Sequence, residues 1–228
     1  MKNILLIKKI PTVSWSSHHP LNFTPRPLTL VFLCMGLMIF GIGEALLINS
    51  HLGVSPWTVL AQGVSLSTSQ SIGWSTFYIS IVVLSLWLPL KQAPGIGTLL
   101  NAIIIAASIE LSLPLLPKPA TFEFQLLQSM LGIFVVGFGS GIYLIAHLGA
   151  GPRDGLMTGL QRISELPMAW VRTIIELIVV ITGWLLGGTV GIGTLLFAIV
   201  IGPAVSLGLA TVKYAFQSAE NGELAKKG

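Results

Sequence analysis

The sequence predicts an all-α membrane protein. Six transmembrane helices form two inverted three-helix repeats, each with a short amphipathic or re-entrant helix after its first span. Three observations lead there. Of the 228 residues, 53% are hydrophobic and only 9% charged, against about 25% charged in an ordinary soluble domain. Apolar runs near the ~20 residues that cross a hydrocarbon core recur along the chain, and the mean hydropathy is +0.87. The string "HLGVSP" at 51–56 returns as "HLGAGP" at 147–152, inside a longer repeat.

Taken in order, the spans read 28–50, 71–90, 95–116, 126–148, 168–187 and 190–212. Pro94-Gly95, Pro117-Lys118-Pro119 and Gly187-Gly188 punctuate them as turns do. Residues 1–27 carry Lys2, Lys8 and Lys9, and the apolar run from Ile4 to Ile7 is too short for a signal-peptide core. This segment therefore reads as a cytoplasmic N-terminal tail, followed by a first repeat over 28–118, a second over 119–213 and a cytoplasmic C-terminal tail over 214–228. With the N-terminus inside, ten of the twelve Lys and Arg residues fall on the cytoplasmic side, Lys118 falls outside and Arg172 sits at a helix end. Both termini are expected in the cytoplasm of a bacterial cell, the chain lying in its inner membrane. The scattered basic residues leave no face for nucleic acid, so the net charge of +4 is topological information.

Residues 36–113 align with 132–209 without a gap and share 24 identities in 78 positions. The Gly, Pro, His and Thr matches carry the argument, since apolar helices resemble one another by composition alone. "GIGTLL" recurs letter for letter at 95–100 and 191–196. An odd number of spans per copy turns the second copy over in the membrane, the arrangement of many secondary transporters. Within each motif Gly53, Gly149 and Gly151 permit sharp turns, while Ser55-Pro56 and Gly151-Pro152 cap and start a helix. The helix after Pro152 is amphipathic and too polar to span. Its N-terminus beside Arg153 suits an anionic group, with Asp154 as cap or as orienter of the arginine. Trp57-Thr58 replaces Arg153-Asp154 in the first copy, so a substitution at Thr58 is expected to be nearly silent.

Ionisable groups inside spans are the other candidates, because insertion costs roughly 2.5 to 3.5 kcal/mol for a charge at a helix centre. They are Glu44, Glu110 and Glu176. Arg172 and Glu176, four apart, can neutralise each other on one helix face; Glu44 and Glu110 have no local basic partner and can hold or exchange a proton. His51 and His147 each precede a Leu-Gly step at a helix end, where capping competes with a titrating role. Cys34 is the one cysteine, and two motif histidines make no metal set, so no metal or cofactor is expected. "GFGSG" at 137–141 has the small-residue spacing of close helix packing, and no phosphate-binding loop or catalytic triad is legible, so an enzyme is not expected.

The strings "LGVSPWTVLAQG", "PGIGTLLNAIII", "LGAGPRDGLMTGL", "VRTIIE" and "GWLLGGTVGIGT" resemble the YczE-like branch of the YitT-like bacterial integral membrane proteins, from about residue 28 to 212. Matching positions are Ser55, Pro56, Trp57, Gly151, Pro152, Arg153, Asp154, Arg172 and Glu176; Ala106 and Glu110 depart from the Gly and Asp common in that branch. The resemblance implies a multi-pass bacterial membrane protein associated with transport, without a substrate. Three functions follow for a chain whose partners are the lipid bilayer and an unidentified small molecule. The first is a secondary transporter or exporter of an anionic or amphipathic metabolite. The alternatives are a substrate-capturing subunit of an ATPase-driven transporter, and a membrane partner that stabilises or recruits another enzyme. A second copy of the chain or another membrane protein stays open as an assembly partner.

Overall fold

The computed structural model describes residues 10–227, with side chains as far as residue 216. Lys2, Lys8 and Lys9 of the expected tail lie outside the described residues. Eight helices follow one another: α1 Pro27–Ser50, α2 Pro56–Thr68, α3 Ile72–Ser85, α4 Ile96–Ser112, α5 Phe122–Ala146, α6 Pro152–Ser164, α7 Met168–Leu185 and α8 Ile192–Lys227. No strand occurs among the described residues. The chain is a helical membrane protein.

Four helices, α1, α5, α7 and α8, are long and apolar enough to cross a membrane. Six were expected. The difference lies in α3 and α4, which have 14 and 17 residues. At 1.5 Å per residue these reach about 21 and 26 Å, short of the ~30 Å hydrocarbon thickness. Turns at 86–91 and 113–115 end them early, where Pro89 and Pro114 stand. At the other end of the chain, α8 continues as one helix across the boundary expected at 213, through Pro203 and on to Lys227.

Local chemistry accounts for the helix boundaries. α2 and α6 each begin with a proline at their first position, have 13 residues and start 96 residues apart. His51 and His147 close α1 and α5 in the left-handed conformation, with φ of 58° and 53°, and donate their backbone N–H to Ile48 and Leu144. Gly53 and Gly149 follow at φ 105° and 117°, which only glycine adopts without strain.

The same offset relates the packing. α1 and α5 run antiparallel through the middle: Gly36 meets Gly139 and Tyr143, and its repeat equivalent Gly132 meets Gly43 and Leu47. The loops cross over in the same way. Gly97 N–H at the start of α4 donates to Leu148 O (2.8 Å), and Gly193 N–H at the start of α8 donates to Leu52 O (2.7 Å). Each "GIGT" block thus holds the "HLG" turn of the other copy, which explains why both strings are repeated together. α4 flanks α1, α8 flanks α5, and α2, α3, α6 and α7 form a second group with its own apolar core around Val83, Leu156 and Val179.

The N-terminal segment is not a free tail from residue 10 on. Trp15 is buried between Phe32 and Phe216, at ring separations of 4.5 and 5.6 Å, and its carbonyl accepts from Thr29. Ser17 N–H donates to Ala146 O, and His147 Nδ1 lies 3.1 Å from Ser17 O. An indole is apolar enough to anchor this segment across the ends of α1 and α8.

Candidate functional site

The first turns of α2 and α6 face the same enclosed space from opposite copies of the repeat. Ser55, Pro56 and Trp57 line one wall of a cavity of about 580 Å³, and Gly151, Pro152, Arg153 and Asp154 line another. Helix starts carry unsatisfied backbone N–H groups and a positive dipole end, so two of them on one cavity make a polar environment inside an apolar body. Asn101, Ser140 and Tyr143 add side-chain polarity, and Ile10 and Pro20 of the N-terminal segment complete the lining.

Glu44 lies behind that wall. It is 0% exposed, on the last third of α1. Ser55 Oγ and Thr58 Oγ1 each donate to its Oε2 at 2.8 Å, and the two hydroxyls are 3.0 Å apart. Because Ser55 is engaged there, it does not cap α2 with its side chain. Oε1 of Glu44 has no hydrogen-bond partner among the described residues. The Arg153 guanidinium sits 5.3 Å from the Trp57 ring centroid, within cation–π range. Arg153 and Trp57, which are repeat equivalents, therefore touch each other at the centre of the molecule.

On the far side, Arg172 Nε donates to Glu176 Oε1 at 2.8 Å, and both side chains line the cavity. Asp154 lines the same cavity as both arginines and Tyr143. It is exposed to the cavity space although protein encloses it. That enclosure pushes its carboxyl up from the ordinary aspartate range, while Arg172 and then Arg153 draw it back down. Two carboxylates (Asp154, Glu176) and two guanidiniums (Arg153, Arg172) line the cavity, and Glu44 is buried behind its wall. Arg153 therefore stands at a helix start in a cavity that carries both signs of charge.

Of the eight predicted binding residues, the structure brings together Glu44, Arg153, Asp154, Arg172 and Glu176, with His147 at the cavity edge. It places His51 at the exposed end of α1 and Glu110 elsewhere. Glu110 Oε2 accepts from Gly73 N–H (3.2 Å) at the start of α3, a helix-terminus contact. Glu110→Ala is expected to cost about 0.5 to 2 kcal/mol in thermal denaturation and to leave ligand binding unchanged. No group of three or more metal-ligating side chains occurs among the described residues.

Thr58, expected to be silent, is half of the cradle for Glu44. Tyr143, Asn101 and Ser140 were not singled out by spacing or charge. One signal was available for Ser140 and for Trp57-Thr58: they are the repeat equivalents of Glu44 and of Arg153-Asp154. One site built from both copies requires the equivalent positions to differ.

Residues 28–209 match the family described as a family of unknown function, DUF6198. An uncharacterized protein of Haemophilus influenzae is 43% identical over 199 residues, covering 87% of this chain and 90% of the relative. The uncharacterized membrane protein YczE of Bacillus subtilis is 34% identical over 173 residues, covering 75% and 80%. The uncharacterized protein YyaS of the same organism is 27% identical over 167 residues, covering 71% and 83%. No solved structure matches the chain.

Proposed function

We propose that this chain, which belongs to the DUF6198 family and its YczE-like membrane proteins, is a secondary transporter of a small polar or amphipathic solute in the bacterial cytoplasmic membrane. The observation that carries the reading is the convergence of the starts of α2 and α6, with the charged side chains of Arg153, Asp154, Arg172 and Glu176, on one cavity. Discontinuous helices whose starts meet at a central site are a recurrent transporter device. The reciprocal contacts at an offset of 96, with α1 antiparallel to α5, support two inverted halves. In this reading α3 and α4, with the turns that follow them, supply the crossings over 71–90 and 95–116 and make six in all. Both termini are then cytoplasmic by the distribution of basic residues.

Topology tests the architecture. A reporter active only in the cytoplasm, inserted near Arg162, is expected to be active, and one active only after export, inserted near Ser67, is expected to be active as well. If Ser67 and Arg162 report the same side, the halves are not inverted. For transport itself, proteoliposomes holding only this chain and loaded with a mixed pool of cell metabolites are expected to lose a small subset faster than protein-free vesicles. Arg153→Gln is expected to abolish that excess loss. Loss identical to protein-free vesicles overturns the reading and leaves the ATPase-subunit and enzyme-partner alternatives.

A further inference from the structure

Glu44, Ser55 and Thr58 bring three oxygens together with only two side-chain hydrogens to join them. Glu44 Oε2 lies 2.8 Å from Ser55 Oγ and 2.8 Å from Thr58 Oγ1, and the two hydroxyls are 3.0 Å apart. All three separations are within hydrogen-bond range for a pair of oxygens. A hydroxyl carries one hydrogen and an ionised carboxylate carries none. With Glu44 ionised, both hydroxyls point at Oε2, and the contact between Ser55 and Thr58 is left as lone pairs facing each other. One more proton closes the ring. Oε2–H then donates to Ser55, Ser55 to Thr58 and Thr58 to Oε2, so that each oxygen donates once and accepts once.

The surroundings favour the same count. Glu44 is buried, and its Oε1 has no hydrogen-bond partner among the described residues. A carboxylate shares its charge between both oxygens, so the ionised form leaves charge on a buried atom that no donor reaches. A protonated carboxyl group leaves only a neutral carbonyl oxygen there. A metal ion fits the spacing less well: oxygens at right angles around an ion bound at ~2.3–2.6 Å lie about 3.3 Å or more apart, and these three are closer. The titratable side chains on the surrounding elements are Tyr143 of α5, Arg153 and Asp154 of α6, and Arg172 and Glu176 of α7, all lining the cavity. Glu110 of α4 is engaged at the start of α3, and Cys34 and His51 stand ten and seven positions from Glu44 in the chain. Of the three ring residues, Ser55 alone lines the charged cavity.

We propose that Glu44, Ser55 and Thr58 form a proton-binding site, loaded from the charged cavity through Ser55, and that its proton is the coupling ion of transport. A proton taken from the cavity onto Ser55 Oγ sends that hydroxyl's own hydrogen to Glu44 Oε2. The serine ends as it began, and the cavity has lost one proton. Release is the reverse, and it leaves a buried charge until the start of α2, which carries both hydroxyls, moves to admit the polar groups of the cavity. Proton loading is thereby tied to a wall of the solute cavity. The repeat equivalents of the three residues are Ser140, Gly151 and Asp154, so the second copy cannot form the same ring and the chain holds one. The inference rests on the transporter reading, of which it names the coupling ion.

Infrared spectroscopy of the full chain in phosphatidylcholine nanodiscs at neutral pH tests the site. A protonated carboxyl group has a carbonyl stretch apart from every carboxylate band, and its hydrogen exchanges in D2O. Such a band is expected in the parent and is expected to be missing from Glu44→Gln. Thr58→Val keeps the shape of the side chain and is expected to shift that band, which keeps the measurement available if Glu44→Gln does not fold. Ser55→Ala is expected to slow exchange of the band in D2O at least about tenfold, a rate that a merely structural serine leaves unchanged. Absence of a band that depends on Glu44 or Thr58, or exchange at the parent's rate in Ser55→Ala, overturns the proposal. Loss of the band when sodium replaces choline makes the ring a metal-ion site and overturns it as well. Coupling is read in proteoliposomes that hold the metabolite pool and an entrapped pH dye, where protein-dependent loss of solute is expected to move protons across the membrane. Solute loss without proton movement overturns the proposal and leaves the transporter reading standing; the Glu44 band without any protein-dependent solute loss overturns the transporter reading and leaves the proton site.

Discussion

Gly141→Leu is expected to leave almost no folded protein to extract, whereas Gly202→Leu is expected to give the parent's yield. A side chain begun at Gly141 runs into the backbone carbon of Gly208 in α8, and one begun at Gly139 meets the backbone nitrogen of Phe40 in α1 at 2.5 Å. Neither neighbour is the mobile end of a side chain. α5 is therefore gripped on two sides, by α1 and by α8, through backbone-to-backbone approaches that only glycine allows. Separating two helices to admit a leucine costs more than the ~1 to 3 kcal/mol of ordinary overpacking, because the loss extends along the contact. At Gly202 nothing lies within 4 Å of an added carbon, and the helix gains about 1 kcal/mol on losing a glycine. Monodisperse yield on size-exclusion chromatography and the melting temperature measure both variants. Parent-like behaviour of Gly141→Leu would mean that α5 and α8 are not in this contact.

Glu44→Ala is expected to be the most damaging single change at the site, lowering stability by about 2 to 5 kcal/mol, the scale of a core cavity that also leaves buried hydroxyls without their acceptor. It takes the shared acceptor from the buried hydroxyls of Ser55 and Thr58. Glu44→Gln keeps an acceptor oxygen and is expected to remain folded while losing ligand-induced thermal stabilisation. A melt of Glu44→Ala within about 0.5 kcal/mol of the parent, the scale of an ordinary surface change, contradicts the Ser55–Thr58 cradle.

Local chemistry made much of the fold readable. Ser55-Pro56 and Gly151-Pro152 mark the starts of α2 and α6, and the glycines at 53 and 149 mark the left-handed turns before them. Each depends on a residue's own φ preference or missing N–H, which holds wherever the residue stands. α3 and α4 were less legible. Leu86 to Leu90 and Leu113 to Leu116 are as apolar as a span, so hydropathy extends the helices through stretches where the backbone turns.

By itself the sequence determined the class, a helical membrane protein, through a composition too poor in charge to cover a water-facing surface. It determined the repeat, the short non-spanning helices and the list from which the site is drawn. Only the tertiary structure decided which of those residues meet. Trp57 and Arg153 are 96 positions apart, and no helical periodicity links them; they meet because α1 and α5 pack antiparallel and bring the two helix starts to one cavity. The same packing left Glu110 at the start of α3, made Thr58 a partner of Glu44, and set Ser55 between Glu44 and the charged cavity. The physical reason is range. Backbone preference and hydropathy act within a few residues, whereas a charge in a low-dielectric interior is held by whichever partner the packing brings within a few ångströms.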